Sequence, residues 1–159
     1  MYRIGFGFDA HRFSKGRKLV LGGVEIPFEF GLEGHSDADV LIHAICDALL
    51  GAIGERDIGT HFPDSNPRYK GISSLSLLGE VLDLLRSKGF EIENVDSTIV
   101  CEKPKLSKHI PEIKEKLSSF MEIPATSLGI KATTTDGMGF TGRQEGIAAY
   151  AVVILKQCR

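Results

Sequence analysis

Tryptophan is absent from this sequence and cysteine is scarce, with only Cys46, Cys101 and Cys158 among 159 residues. The three cysteines are odd in number, lie far apart and form no C-x-x-C pair. Such a set indicates neither a disulfide framework nor a cysteine-based zinc site. We therefore expect free thiols and a reducing compartment.

Long apolar runs and excess basic charge are also missing. The longest apolar run, residues 147–155, has 9 residues, which is too few to cross a bilayer, and the first residues lack the pattern of a leader peptide. The formal net charge of -2 provides no basic field for nucleic acid or anionic lipid. The sequence therefore predicts a cytoplasmic protein that binds a small molecule, with no nucleic-acid and no membrane partner.

The composition that remains is typical of a folded globular protein, with 42% hydrophobic and 25% charged residues. A chain of 159 residues is long enough to bury a core but leaves little room for a second one. We predict a single domain over residues 1–159.

The first eleven residues, MYRIGFGFDAH, predict a strand that ends in an Asp-x-His pair. Side chains two apart on a strand share a face, so Asp9 and His11 converge on one point. A carboxylate and an imidazole suit a zinc ion, provided that a third ligand joins them and a fourth position stays open for substrate. The pair therefore predicts a metal site that another part of the chain completes.

A helix is predicted over residues 36–53, with Ser36 or Asp37 as its N-cap and Asp39 in its first turn. His43 lies four residues from Asp39 and four from Asp47, on one stripe of this helix. A single helical histidine is more often a surface or core residue than a ligand. The flanking carboxylates and the incomplete metal pair on the first strand favour His43 as the third ligand. Apolar residues at spacings of three and four predict the core face, namely Ile42, Ile45, Leu49 and Ile53.

The rest of the chain alternates short strands and helices. Residues 54–73 form a loop too long for a simple connector, and both a ligand-binding loop and an ordinary solvated loop remain open. We predict a hairpin of residues 18–21 and 24–30 with Pro27 at an edge, strands at 92–102, 127–135 and 147–155, and helices at 74–88 and 107–121.

Residues 137–142 read G-x-G-x-x-G after the strand at 127–135. A dinucleotide site requires a helix after the glycines and an acidic residue about 20 positions further on. Here a β-branched segment follows instead, so we reject that reading. The alternative is a loop whose backbone amides approach phosphates, preceded by three threonines and Asp136.

Five separated motifs carry a resemblance to a known family. They are GFDAHRF at residues 7–13, GHSDADVLIHA at 34–44, DIGTHFPD at 57–64, EKPKL at 102–106 and TTTDGMGFTGRQEGIA at 133–148. In this order, and over essentially the whole chain, they closely resemble the 2-C-methyl-D-erythritol 2,4-cyclodiphosphate synthase family.

The resemblance implies a phosphorus-oxygen lyase of the non-mevalonate isoprenoid pathway. The 2-phosphate of 4-diphosphocytidyl-2-C-methyl-D-erythritol 2-phosphate attacks the β-phosphorus of the same molecule, and CMP leaves. By resemblance, Asp9, His11 and His43 hold zinc. Asp136, where some family members have Glu, binds magnesium or manganese.

The same resemblance assigns roles to further residues. His35 and Thr134 are implied to stabilise the transition state. Implied substrate contacts are Asp9, His11, His35, Ser36, Asp57, Gly59, Phe62, Asp64, Asn66, Cys101, Pro104, Lys105, Leu106, Ser107, Thr133, Thr134, Thr135, Asp136, Phe140 and Arg143. The segment 101–107 is expected to hold the cytosine.

The implied fold is α+β, with a mixed four-stranded sheet backed by helices on one face, a small β-hairpin, and a homotrimer with active sites between subunits. Phe140 and Arg143 are implied to line a threefold cavity that binds isoprenoid diphosphates, although a structural ion pair at the subunit interface is an equally good interpretation of Arg143. Two other functions keep the zinc ligands. One is a zinc-dependent nucleotide-diphosphate phosphohydrolase, and the other is a metal- and nucleotide-binding module without turnover.

Overall fold

The computed structural model describes residues 1–159 and contains seven strands and five α-helices. The strands are β1 (Tyr2–Lys15), β2 (Leu19–Leu21), β3 (Val24–Ile26), β4 (Phe30–Leu32), β5 (Phe90–Val100), β6 (Leu128–Thr133) and β7 (Gly146–Gln157). The helices are α1 (Val40–Ala52), α2 (Ile58–His61), α3 (Ser74–Ser87), α4 (Ile110–Met121) and α5 (Gly139–Gly142), with two 3₁₀ turns at Pro67–Tyr69 and Ala125–Ser127.

The main sheet has five strands in the order β4-β1-β7-β5-β6, and β2 and β3 form a separate hairpin. Strands β5 and β6 are parallel and the other neighbours are antiparallel, so the sheet is mixed. The expected α+β class and the hairpin are confirmed. The sheet has one strand more than expected because the strand predicted over residues 24–30 is divided into β3 and β4, and β4 joins the main sheet. The interruption lies at Pro27, and β4 pairs with the end of β1 through Phe13 and Leu32.

The helices pack on one face of this sheet. Helix α1 crosses β1 and β7, while α3 lies against β5 and α4 against β6. Close packing of α1 is possible because Gly5 and Gly7 of β1 have no side chains. A Cβ at Gly7 would lie 1.9 Å from the carbonyl oxygen of Ala44. One continuous cluster of 36 buried residues fills the space between the layers.

The opposite face of β1 and β7 is apolar but uncovered. Ile4 and Phe6 are 71% and 61% exposed, and Phe8, Tyr150 and Val152 extend the same surface. Monomeric proteins rarely expose a large contiguous apolar patch, and such a patch marks an interaction surface. A single chain therefore leaves one side of its sheet without a partner.

Helix α1 begins later than the sequence predicts, and its N-cap is Asp39 rather than Ser36 or Asp37. The Asp39 carboxylate accepts hydrogen bonds from the backbone N–H groups of Ile42 at 3.1 Å, Gly22 at 3.0 Å and Gly23 at 2.7 Å. Burial raises the pKa of Asp39 to about 6, even though these amides oppose the shift. Asp39 thus fastens the β2–β3 turn to the start of α1.

The other predicted elements are present with small changes in their bounds. Helix α4 begins at Ile110 rather than at residue 107, with Pro111 in its first turn. Segment 54–73 contains α2 and a 3₁₀ turn, and the glycine-rich segment contains α5. No helix combines the length and the apolar character that a membrane span requires.

Candidate active site

Strand β1 and helix α1 bring the three predicted metal ligands together. Asp9 and His11 follow Gly5 and Gly7 on the face of β1 that points toward α1. His43 lies one turn into α1 and is almost fully buried. One ligand atom from each of Asp9, His11 and His43 lies within 4.8 Å of the other two.

The spacing of these atoms fits a zinc ion. His11 Nε2 lies 2.7 Å and His43 Nδ1 lies 3.1 Å from Asp9 Oδ2, and the two nitrogens are 3.2 Å apart. Ligand atoms around a tetrahedral zinc ion with bonds of about 2.0–2.1 Å are about 3.3 Å apart. The three atoms therefore resemble one face of a zinc tetrahedron, and a fourth position remains for a water or a substrate oxygen.

The outer nitrogen of each histidine also has a partner. His11 Nδ1 donates to the carbonyl oxygen of Glu33 at 2.7 Å. His43 Nε2 lies 2.9 Å from Ser74 Oγ and 3.2 Å from Ser36 Oγ. A partner for the outer nitrogen keeps the inner nitrogen as the one that can bind the metal.

The charges of the ligands suit a cation. Burial by itself raises the pKa of Asp9, but hydrogen bonds from His11 and His43 lower it to about 2, so the carboxylate is ionised at neutral pH. For His11, burial lowers the pKa, and the contacts with Asp9 raise it above its ordinary value. A metal ion must displace the proton from His11, so acidic pH opposes metal binding.

A polar pocket of about 280 Å³ surrounds the three ligands. His35 Nε2 is buried at this pocket and has no hydrogen-bond partner. Buried polar atoms in native proteins are nearly always paired, so this nitrogen is available to a ligand. The pocket is lined by Asp9, His11, Gly34, His35, Ser36, His43, Asp47, Asp57, Ile58, Gly59, Phe62, Asp64 and Leu77.

The loop after α1 reaches this pocket because Asp47 holds it. The Asp47 carboxylate accepts from the backbone N–H of Ile58 at 2.8 Å, at the start of α2. Asn66 does not line the pocket. Its side chain accepts from the backbone N–H of Arg68 at 3.0 Å and caps the 3₁₀ turn.

A second pocket, of about 150 Å³, lies where β5 and β6 end. Cys101 N donates to the carbonyl oxygen of Thr133 at 2.9 Å, and its thiol donates to the carbonyl oxygen of Lys103 at 3.0 Å. Burial raises the pKa of Cys101 to about 12, so the thiol is a hydrogen-bond donor rather than a nucleophile. The pocket is lined by Cys101, Lys105, Leu106, Ser107, Ala132, Thr133 and Thr134, and Pro104 lies outside this lining.

The turn after β6 carries Thr134 and Asp136 beside the second pocket. Glu102 Oε1 accepts from the backbone N–H groups of Thr135 at 3.2 Å and Gly137 at 3.1 Å, which fixes the turn. The Thr135 hydroxyl bonds to Thr141 at 3.0 Å within the turn. Asp136 itself is exposed, with a φ of 52°.

The two pockets share no residue. The register aligns Ala10 with Ala148, Ala148 with Val100, and Val100 with Thr133. Three inter-strand spacings separate the first and last of these residues, which amounts to about 14 Å. Within one chain, strands β7 and β5 therefore lie between the candidate metal ligands and Thr133.

The comparisons with known proteins agree with this geometry. The sequence model of the YgbB family matches residues 2–156 of this chain. The chain belongs to the YgbB family. The resemblance found in the five sequence motifs is thereby confirmed.

Relatives in this family have informative names. A protein from Caldicellulosiruptor bescii named 2-C-methyl-D-erythritol 2,4-cyclodiphosphate synthase is 59% identical over 98% of this chain and 99% of its own. A structure of such a synthase in a CDP-bound form matches with a TM-score of 0.90 and 37% identity, over 97% of this chain and 100% of its own. The bifunctional IspDF of Campylobacter jejuni matches with a TM-score of 0.95 and 39% identity, over 99% of this chain, which spans 42% of that protein.

Phe140 and Arg143, on and beside α5 of this YgbB family member, line neither of the two pockets, although Phe140 shares a depression with His11. Phe140 borders a depression of about 200 Å³ together with Arg12 and Glu145. Arg143 Nε donates to the Glu145 carboxylate at 2.9 Å, and both side chains are more than half exposed. An ion pair within the chain therefore accounts for one contact of Arg143.

Sequence reasoning missed two residues that support the site, Ser74 and Glu102. Ser74 is the first residue of α3, and its partner His43 is 31 residues away along the chain. Glu102 contacts a turn that lies 33 to 35 residues further on. No local spacing identifies such contacts, because only the packing of α3 and the pairing of β5 with β6 produce them.

Proposed function

We propose that this protein cyclises 4-diphosphocytidyl-2-C-methyl-D-erythritol 2-phosphate to 2-C-methyl-D-erythritol 2,4-cyclodiphosphate and releases CMP, as a phosphorus-oxygen lyase of the non-mevalonate isoprenoid pathway. The observation that carries the proposal is the convergence of Asp9, His11 and His43 beside a polar pocket, in a chain 59% identical to a relative named as this synthase. A single continuous core supports one catalytic domain over residues 1–159. Three free thiols support a cytoplasmic location.

Two metal ions form part of the proposal. Asp9, His11 and His43 would hold zinc, whose preference for nitrogen and carboxylate ligands they satisfy. Asp136 would hold magnesium or manganese, which prefer carboxylate, phosphate and water oxygens. When bound, the two ions neutralise phosphate charge and polarise the phosphorus-oxygen bonds.

The residues of the chain supply position and hydrogen bonds rather than a strong base. The attacking 2-phosphate oxygen is already an anion, so no proton needs to be removed from it. As its bond to the β-phosphorus forms, the bond from the β-phosphorus to the bridging oxygen breaks, and CMP leaves with that oxygen. The unpaired His35 Nε2 and the Thr134 hydroxyl are suited to donate to the charge that develops on the phosphate oxygens.

Each of the two pockets would hold one end of the substrate. The metal pocket, with Ser36, Asp57 and Gly59 in its wall, would hold the methylerythritol phosphate. The pocket at the ends of β5 and β6, with Lys105 and Ser107, would hold the cytidine. A diphosphate would connect the two groups.

A homotrimer with active sites between subunits would bring the pockets of two chains together. Two observations support it, namely the separation of about 14 Å between the two halves of the site within one chain and the uncovered apolar face of β1 and β7. An isoprenoid diphosphate in a threefold cavity bordered by Phe140 and Arg143 completes this part of the proposal. Sedimentation velocity tests the trimer.

The decisive experiment for the reaction uses the purified protein with the cytidylyl substrate, zinc and Mg²⁺. Phosphorus NMR should show the cyclic diphosphate and CMP appearing together in equal amounts. A zinc-dependent phosphohydrolase would release CMP with a linear phosphate product instead. Nucleotide binding without any product would favour the metal- and nucleotide-binding module without turnover.

Nucleotide preference provides the first prediction. We expect CMP and CDP to bind at least about fivefold more tightly than UMP and UDP, because a base mismatch leaves buried polar groups unpaired at roughly 1 to 3 kcal/mol each. Isothermal titration calorimetry on the four nucleotides measures the difference. Equal affinities would contradict a base-reading role for residues 101–107 and favour the phosphohydrolase.

Lys105 and Lys103 provide a matched pair for the same pocket. Lys105 lines the pocket, whereas Lys103 is exposed and lies outside its lining. Lys105→Ala should weaken CDP binding while zinc content is unchanged. Lys103→Ala should change neither quantity.

Asp136→Asn tests the second metal. Asparagine tolerates the left-handed backbone of this position, so the turn should persist while the negative charge is lost. We expect the Mg²⁺ concentration for half-maximal activity to rise at least about tenfold, which corresponds to roughly 1.4 kcal/mol. Zinc content should not change.

The measurement for Asp136→Asn is a titration of activity with Mg²⁺ and with Mn²⁺. Asp83→Asn removes an exposed carboxylate on helix α3 and serves as the control. An unchanged titration in Asp136→Asn would remove the second-metal role from this residue.

A further inference from the structure

We propose that Ser74, held by Asp37, is a positioning residue of the metal site that fixes the tautomer and orientation of His43. The inference rests on the proposed function only because it takes Asp9, His11 and His43 as the metal ligands. Neither Ser74 nor Asp37 contacts the position of the metal.

The contacts form a continuous chain behind His43. Ser74 Oγ lies 2.9 Å from His43 Nε2, and its hydroxyl donates to Asp37 Oδ1. The backbone N–H of Ser74 also donates to Asp37 Oδ2, at 3.1 Å. Ser74 has no exposed surface, so water cannot replace either partner.

The chemistry of the three groups sets the direction of these hydrogen bonds. An ionised carboxylate only accepts, so Asp37 takes the single hydroxyl hydrogen of Ser74. Ser74 Oγ then has only lone pairs to offer His43, so the imidazole nitrogen that faces it, Nε2, must carry a proton. Nδ1 is thereby left as the nitrogen that faces Asp9 and His11 and can bind the metal. The opposite tautomer would place an N–H in the metal position.

Ser36 does not replace Ser74 in this role. Its hydroxyl oxygen lies 3.2 Å from His43 Nε2, farther than that of Ser74, and it already accepts from the backbone N–H of Ala38 at 3.2 Å. Because the His43 proton is directed to Ser74, the hydroxyl hydrogen of Ser36 remains available to a ligand in the pocket.

The chain of contacts joins three separate parts of the fold. Asp37 precedes α1, His43 lies in α1, and Ser74 is the first residue of α3. The orientation of a metal ligand therefore depends on the docking of α3 against α1. Partners of this kind around metal-bound histidines raise metal affinity by about 10- to 100-fold.

The test compares Ser74→Ala with Ser73→Ala, two serines at the start of the same helix. Ser73 caps α3 through the backbone N–H of Leu75 and makes no contact with His43. We expect Ser74→Ala to weaken zinc binding about 10- to 100-fold in competition with a chromophoric chelator, and Ser73→Ala to leave it within about twofold of the unchanged protein. Thermal melting of the metal-free variants separates stability from affinity.

A second readout reports on the tautomer directly. In the metal-free protein, nitrogen NMR of the imidazoles should show a proton on Nε2 of His43, and Ser74→Ala should lower the fraction of His43 that carries a proton on this nitrogen. If Ser74→Ala does not fold, Asp37→Asn replaces it, since it preserves volume and removes a charged acceptor from the serine. Asp37→Asn should also weaken zinc binding, though less than Ser74→Ala.

The outcomes separate this inference from the proposed function. One outcome is that Ser74→Ala, or Asp37→Asn in its place, has the zinc affinity and the His43 tautomer of the unchanged protein. That result would overturn the role of Ser74 and leave the metal site intact. Failure of the unchanged protein to bind zinc would overturn both.

Discussion

Replacing His43 by alanine should remove the bound zinc and lower the rate of cyclisation at least about a thousandfold, a loss of roughly 4 kcal/mol in transition-state stabilisation. Asp9 and His11 alone leave zinc with two protein ligands, whereas catalytic zinc sites use three. The fold should survive, because alanine is the best helix former and the core residues of α1 on either side, Ile42 and Ile45, are fully buried and unchanged.

Three measurements on His43→Ala check this expectation: zinc content by mass spectrometry, turnover by phosphorus NMR, and the thermal midpoint. His109→Ala is the control for zinc content, since His109 lies at the start of α4, outside the ligand set. One zinc ion per chain together with normal turnover in His43→Ala would show that the ligand assignment is wrong.

Gly7→Ala should destabilise the whole fold by at least about 3 kcal/mol, because it overpacks a rigid backbone contact. The added Cβ would lie 1.9 Å from the carbonyl oxygen of Ala44 and 2.7 Å from the backbone nitrogen of Ala48, both in α1. Neither atom is the end of a flexible side chain, so the helix as a whole must move away from β1. Such a shift also separates His43 from Asp9 and His11.

Urea unfolding of Gly7→Ala measures the effect against a total stability that is about 5–15 kcal/mol for ordinary domains. Gly51→Ala is the matched control, since Gly51 is an exposed residue of α1 and an added Cβ there meets no atom within 4 Å. That control should be stabilised by up to about 1 kcal/mol, because alanine has the higher helix propensity. An unchanged midpoint for Gly7→Ala would refute the close packing of α1 on β1.

Local sequence patterns were sufficient to predict the three residues at the centre of the candidate site. Asp9 and His11 are two residues apart on a strand, and their shared face follows from the pleat alone. His43 on the predicted helix completes the set, and the structure brings the three ligand atoms within 4.8 Å. The long strands and the long helices also follow from their patterns, with errors in bounds such as the start of α4. The single strand predicted over residues 24–30 is replaced by β3 and β4.

Capping was less predictable. Several polar residues precede α1, and any of Ser36, Asp37 and Asp39 can cap a helix. Asp39 takes the role because its carboxylate also binds the amides of Gly22 and Gly23, which the hairpin brings to it. That contact spans 16 to 17 residues, so local sequence does not contain it.

The sequence by itself determined the candidate metal ligands, the α+β class and the family, because each depends on residue types at short, regular spacings or on motifs in a fixed order. Only the tertiary structure decided that Phe30–Leu32 joins the main sheet, that β7 and β5 separate the two pockets, and that Ser74 and Asp37 stand behind His43. These features arise from contacts between residues far apart in the chain. Their geometry is set when the helices pack on the sheet, and no pattern within a single element records it.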